Sequence, residues 1–228
     1  MSSTLAERYA RVQAELPPHV RLVAVSKTRS VDEVRALYAL GHRDMGENYP
    51  QELKAKAAAL PTDIRWHFIG HLQRSNVKHV VGTASLIHSV DSERLLDEIE
   101  KRSAALPATT DVLLQVHIAR EETKHGFAPA ELRTLLGAVA TRTRWPHIRF
   151  CGLMGMATNT DDTTVVRGEF RDLAALFREL QGAPGVDAGV FRELSMGMSG
   201  DAATAVAEGS TMVRIGTAIF GERPYATP

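Results

Sequence analysis

Short apolar runs alternate with longer amphipathic stretches along nearly the whole chain, and no other feature narrows the possible folds so far. The runs centre on Arg21–Ser26, Arg43–Gly46, Arg65–Ile69, Ser85–Ser89, Asp111–Ile118, Ile148–Leu153, Phe191–Ser195 and Thr211–Ile215. Several are continuously apolar, as in Leu22-Val23-Ala24-Val25. Strands read that way when helices cover both faces of a parallel sheet. Between the runs, apolar residues recur at spacings of three and four, the period of a helix face. The stripes are Leu5, Tyr9, Val12 and Leu16; Val31, Val34, Leu37 and Tyr38; Leu95, Leu96 and Ile99; Leu132, Leu135, Leu136 and Val139; and Phe170, Leu173, Phe177 and Leu180. Ser30 with Glu33 three residues later fits a capping box at a helix start.

Eight strands alternating with helices predict an α/β fold, a closed (β/α)8 barrel forming a single domain over residues 1–228. The competing arrangement is an open doubly wound sheet. It is weakened because no G-x-G-x-x-G follows the first strand. Pro184–Gly189 reads as a loop, and the last strand run near Thr211 leaves no room for a second domain.

Composition removes several function classes. The 27 basic and 27 acidic residues balance, which argues against a general nucleic-acid binder. The single Cys151 cannot form a disulfide within the chain and reads as a small core residue. The first fifteen residues lack the apolar segment of a signal peptide, and no run is long enough to span a membrane. A cytoplasmic location without membrane contact is expected.

In a barrel, chemistry sits beyond the C-terminal ends of the strands. The first strand ends in Ser26-Lys27-Thr28. Held at the rim of an apolar core, the Lys27 amine is disfavoured in its charged form, and a neutral amine is the nucleophile that forms a Schiff base. The plain alternative is a lysine whose stem packs while its head reaches water. The seventh strand runs into Ser195-Met196-Gly197-Met198-Ser199-Gly200, and the eighth through Arg214-Ile215-Gly216-Thr217. Glycines and hydroxyls after strands seven and eight suit a phosphate, although turns use the same residues. Arg214, just inside the eighth strand end, needs an acceptor from a ligand or a carboxylate. Asn48, after the second strand, suits either a ligand contact or a helix cap. Other signals carry little. His67 and His71 lack the glutamate of a zinc-protease motif, and no cysteine cluster offers a metal site. Met154, Met156, Met196 and Met198 read as packing, and His117 as a satisfied core histidine.

Several segments together resemble one family. They are Ala24-Val25-Ser26-Lys27-Thr28, Gly46-Glu47-Asn48-Tyr49, Trp66 to Gln73, Gly152-Leu153-Met154, Leu194 to Ser199 and Met212 to Gly221. In this order they resemble the pyridoxal 5′-phosphate (PLP) homeostasis proteins of the YggS/PROSC type. The resemblance implies a barrel of the alanine-racemase N-terminal type. It implies that Lys27 carries PLP as an internal aldimine, and that Ser195, Gly216 and Thr217 hold the phosphate. Arg214 would face the pyridine nitrogen, and Asn48 would lie beside the ring. An arginine only donates, so the nitrogen opposite it stays unprotonated and the ring is a weak electron sink. The resemblance therefore implies cofactor storage and supply, control of free PLP and an indirect effect on amino-acid and keto-acid balance, without an established turnover. PLP-dependent apoenzymes are candidate partners, and a monomer or weak dimer is expected. Two positions depart from the family pattern: Asn76 stands where a lysine is usual, and His117 where asparagine is common. A weak PLP-dependent amino-acid racemase is the alternative, although no tyrosine sits where a racemase draws its second acid/base from a later domain. A Schiff-base aldolase is a third reading; its lysine would lie on a later strand.

Overall fold

The computed structural model describes residues 3–121, 123–137 and 143–222. Val139 and Tyr225 lie outside them. Eight parallel strands close into a barrel in sequence order. They are β1 (Arg21–Val25), β2 (Asp44–Glu47), β3 (Arg65–Phe68), β4 (Leu86–Val90), β5 (Thr110–Val116), β6 (Ile148–Gly155), β7 (Glu193–Ser195) and β8 (Met212–Ile215). β8 returns to pair with β1, with Leu22 opposite Val213, so the sheet has no edge and the open doubly wound alternative falls. Each expected strand is present, with its ends displaced by two residues at most.

The helices that cover the barrel follow the apolar stripes. They are α1 (Leu5–Glu15), α2 (Val31–Ala39), α3 (Pro50–Ala59), α4 (Glu93–Ser103), α5 (Pro129–Gly137), α6 (Thr163–Gln181), α7 (Ala202–Ala207) and α8 (Thr217–Phe220). α2 opens with the expected box: Ser30 Oγ accepts from the Glu33 N–H, and the Ser30 N–H donates back to Glu33. Between β3 and β4 the chain makes a 3-10 helix, Arg74–His79, where the sequence shows no 3.6-residue stripe. α6 buries Phe170, Leu173, Phe177 and Leu180 against the barrel. Each such side chain contributes about 1.5–3 kcal/mol on leaving water.

Two apolar regions result. The larger fills the layer between strands and helices. The smaller gathers Val23, Leu86, Leu113, Cys151, Met154 and Met212, which lie on β1, β4, β5, β6 and β8. Side chains from strands so far apart around the circle meet only across the lumen. Cys151 is a buried lumen residue as expected, and burial pushes its thiol up to about 12.

Candidate functional site

The lysine at the end of β1 is held by its neighbours on both sides. The Ser26 N–H donates to Gly46 O at 2.9 Å, and Ser26 O accepts from Lys56 Nζ at 2.7 Å. On the other side the Thr28 N–H donates to Glu52 Oε2 at 2.8 Å. Thr28 has a φ of 62°, a left-handed conformation that is an outlier for a β-branched residue. The backbone therefore turns sharply straight after Lys27, which is half-buried. Lys56 also donates to Glu47 Oε1 at 2.7 Å and Glu52 Oε2 at 2.9 Å, so its three protons meet three acceptors. Glu47 is fully buried, and desolvation raises its pKa despite Lys56.

Lys27 lines a cavity of about 320 Å³ at the C-terminal end of the barrel. Val25 and Lys27 come from the end of β1, Asn48 from beyond β2, Ile69 from beyond β3 and Met156 from beyond β6. Met198, Ser199 and Gly200 follow β7; Arg214, Gly216 and Thr217 close the ring from β8. Asn48 does not cap α3, whose cap position is Tyr49. Its Oδ1 is buried without a hydrogen-bond partner, so the capping alternative fails and an acceptor remains at the cavity wall. Gly70 allows this wall: a Cβ there would lie 2.2 Å from Asn48 O. Gly197, at φ 95°, turns the loop after β7, where a Cβ would lie 2.6 Å from that of Ala205.

Arg214 is 4% exposed. Its Nη1 donates to Ser195 Oγ at 2.6 Å and its Nη2 to Gly155 O at 3.1 Å, both neutral acceptors. Burial pulls its pKa down to about 10, with Asp201 opposing, and the group stays charged at neutral pH. From Ser195 a chain of hydrogen bonds crosses the core. Ser195 Oγ lies 3.0 Å from His88 Nδ1, His88 Nε2 lies 2.9 Å from His67 Nδ1, and His67 Nε2 lies 3.0 Å from Asp44 Oδ1. Arg65 closes it, donating through Nε and Nη2 to the Asp44 carboxylate. Burial lowers the pKa of both histidines, His88 the further, so both are neutral at pH 7. Asp44 only accepts and Arg214 only donates. One assignment then satisfies every link: Arg214 donates to Ser195, Ser195 to His88, His88 to His67, and His67 to Asp44.

Five of the six expected site residues, Lys27, Asn48, Arg214, Gly216 and Thr217, meet at the cavity. Ser195 lies beneath it, fully buried between His88 and Arg214. Ser199 and Gly200, four and five residues on, reach the wall with Met198. Met156 and Met198 line the cavity as well, where the sequence reading gave them packing roles, while Met154 and Met196 are core. Arg29 and Ile69 also line it without having been singled out. Arg29 is anchored by donating to Gly221 O at 2.5 Å, a contact invisible in a local sequence window. His117 stands just beyond β5, half-buried, its Nε2 donating to Glu121 O; it is satisfied, but not in the core. Neither His117 nor Asn76 is among the residues that line the cavity.

Residues 2–224 match the family model described as alanine racemase, N-terminal domain. A pyridoxal phosphate homeostasis protein of Aquifex aeolicus is 41% identical over 90% of this chain and 88% of its own. Another, of Pseudomonas aeruginosa, is 39% identical over 99% of both chains. This chain belongs to the pyridoxal phosphate homeostasis protein family. Among solved structures, PipY of Synechococcus elongatus PCC7942 with PLP bound is 36% identical with a TM-score of 0.85, covering 96% of this chain and 100% of that one. An alanine racemase of Clostridium difficile 630 has a TM-score of 0.75 at 14% identity over 97% of this chain and 57% of its own, a likeness of fold. The homeostasis family and the racemases thus share the barrel. Among the described residues, no helix is long and apolar enough to cross a membrane.

Proposed function

We propose that this chain binds pyridoxal 5′-phosphate in the rim cavity and acts in PLP homeostasis, holding and releasing the cofactor rather than turning over a substrate. The observation that carries this reading is the convergence of Lys27, Arg214 and the two glycine-hydroxyl loops on one cavity. The residues fit such a ligand on their own chemistry. An unpartnered acceptor, Asn48 Oδ1, waits at the wall, and a buried cation, Arg214, donates to neutral Ser195 and Gly155 among the described residues. When bound, PLP supplies a reactive aldehyde and an electron-accepting ring. Lys27 offers the amine to that aldehyde. Ser199, Gly200, Gly216 and Thr217 would hold the phosphate, through hydroxyls and the N–H groups that a helical turn leaves free at its start. Ser195 serves at one remove: it fixes the Arg214 guanidinium, which would donate to the ring nitrogen. An arginine cannot hand over a proton there, so the site restrains carbanion chemistry.

The racemase alternative needs proton acceptors on two faces of a substrate. Among the described residues lining the cavity, Lys27 is the one side chain besides the two arginines that carries a cationic nitrogen, and a guanidinium only donates, so a second proton carrier for the opposite face is not among them. The curated relatives also carry a homeostasis name. PLP-dependent apoenzymes are the proposed recipients.

The test is an absorbance titration with PLP, then borohydride reduction and peptide mapping. We expect one reduced adduct, on Lys27. Lys27→Ala abolishes the adduct and retains weaker, phosphate-dependent binding. Adducts scattered over surface lysines, or turnover of alanine or serine that Lys27→Ala abolishes, would refute the reading.

A further inference from the structure

Three loops on the same rim bring together a second set of groups, away from the residues that line the cavity. His71 follows β3, Asp91 follows β4 and His125 lies beyond β5. One ligand atom from each lies within 4.8 Å of the other two. His71 Nδ1 stands 3.4 Å from Asp91 Oδ2. The two imidazoles stack with centroids 4.2 Å apart and planes 21° apart. Two exposed imidazoles and a carboxylate are a donor set for a borderline divalent transition metal, and two histidines with one carboxylate recur as a three-ligand site that leaves a position for water. Bonds of about 2.0–2.2 Å to one ion separate tetrahedral ligand atoms by about 3.3–3.6 Å, so the His71–Asp91 edge is already metal-sized. Closing the remainder requires the exposed His125 ring to turn out of its stack on His71.

The set is also supported from behind. Asp91 is mostly buried, at 12% side-chain exposure, and its other oxygen, Oδ1, accepts from Ser92 Oγ at 3.0 Å, which leaves Oδ2 turned to the imidazoles. The His125 carbonyl accepts from Gln115 Nε2 at 2.8 Å, and Phe127 pairs back to Gln115 O, tying that loop to β5. Gly70, next to His71, is held through its carbonyl by Ser89 Oγ. The Ser92 bond reaches the ligand carboxylate itself, the kind of outer contact that orients a metal ligand, while the others fix the backbone that carries the two imidazoles. The loops bearing His71 and His125 are anchored to strands through Ser89 and Gln115.

We propose that His71, Asp91 and His125 form a binding site for one divalent transition-metal ion of the Zn2+ class, clasping the loops after β3, β4 and β5. The ion is completed by water, and no chemistry at the PLP cavity is routed through it. The site is independent of the cofactor reading, since it uses none of those residues.

The test is titration calorimetry of tag-free protein with Zn2+, together with Co2+ as a spectroscopic probe. We expect one equivalent to bind at micromolar affinity, with the d–d absorption of nitrogen- and oxygen-ligated Co2+. His71→Gln, Asp91→Asn and His125→Gln should each weaken binding at least tenfold while thermal unfolding without metal stays unchanged. Two of the three are exposed positions, so loss of fold would not explain their effect. Absence of binding up to millimolar Zn2+, or binding unchanged in all three variants, would overturn the proposal. PLP loading of Lys27 in the same variants should be unaffected, which keeps failure here distinct from failure of the cofactor reading.

Discussion

Thr28 carries a conformation that its side chain disfavours, in the residue next to the proposed attachment point. Strain of this kind persists only where surroundings over-determine it, and here Glu52 captures the Thr28 N–H while Lys56 captures Ser26 O. Thr28→Asn, which tolerates the left-handed region, should stabilise the protein by about 1 kcal/mol. The check is a raised urea midpoint at unchanged slope. Because asparagine keeps the same turn, Lys27 in this variant should form its reduced PLP adduct at the parent's rate. Lys27 was legible because it stands one residue past the apolar run Leu22-Val23-Ala24-Val25. The strained turn was not, since glycine or asparagine is the residue that announces such a φ.

At the scale of elements, α3 joins β1 and β2 through one buried ammonium. Lys56 bridges Ser26 O, Glu47 and Glu52. Removing one partner from a buried pair leaves the other charge uncompensated. Lys56→Met should therefore cost about 3–5 kcal/mol, and Lys56→Met with Glu47→Leu should recover much of it. Urea denaturation of both variants checks the pair; a single variant as stable as the parent would show that Glu47 is held by other means. No local sequence pattern singles out Lys56. Only the packing of α3 against β2 turns Lys56 inward. Ser195 teaches the same lesson within a strand. The Gly-Ser segment pointed to the loop that reaches the cavity, but which serine lines it depends on where β7 ends.

Across the whole molecule, the chain from Arg65 through Asp44, His67, His88 and Ser195 to Arg214 links the two ends of the barrel. It also sets an acid limit. Burial lowers the folded-state pKa of His67 and His88 below the ordinary 6.5, so below that pH the unfolded chain binds protons that the folded one refuses. Stability from these groups is intact above about pH 6.5 and falls beneath it, by up to about 1.4 kcal/mol per histidine per pH unit. Asp44 acts later. Burial raises its pKa, but hydrogen bonds from Arg65 and His67 outweigh this and hold it well below the carboxylate range. Its contribution is lost only as pH falls through that range. Thermal unfolding followed from pH 8 to 5 should show a plateau and then a decline. The decline should be shallower in His88→Gln; an unchanged melting temperature down to pH 5 would show that the folded core accepts protons.

The strand and helix periods, the lysine after the first strand and the glycine-hydroxyl loops after the last two were written locally and could be read from the sequence by itself; eight alternating units predict a closed barrel, but the pairing of β8 with β1 is what excluded the open sheet. The local features depend on neighbours within one turn or one strand. The His67–His88 pairing, the inward turn of Lys56, the burial of Ser195 beneath Arg214 and the meeting of His71, Asp91 and His125 were decided only by the tertiary structure. They depend on strand register and on closure of β8 against β1, which fixes which side chains face each other across the lumen and along the rim. That register is a sum over eight pairings, and no single segment contains it.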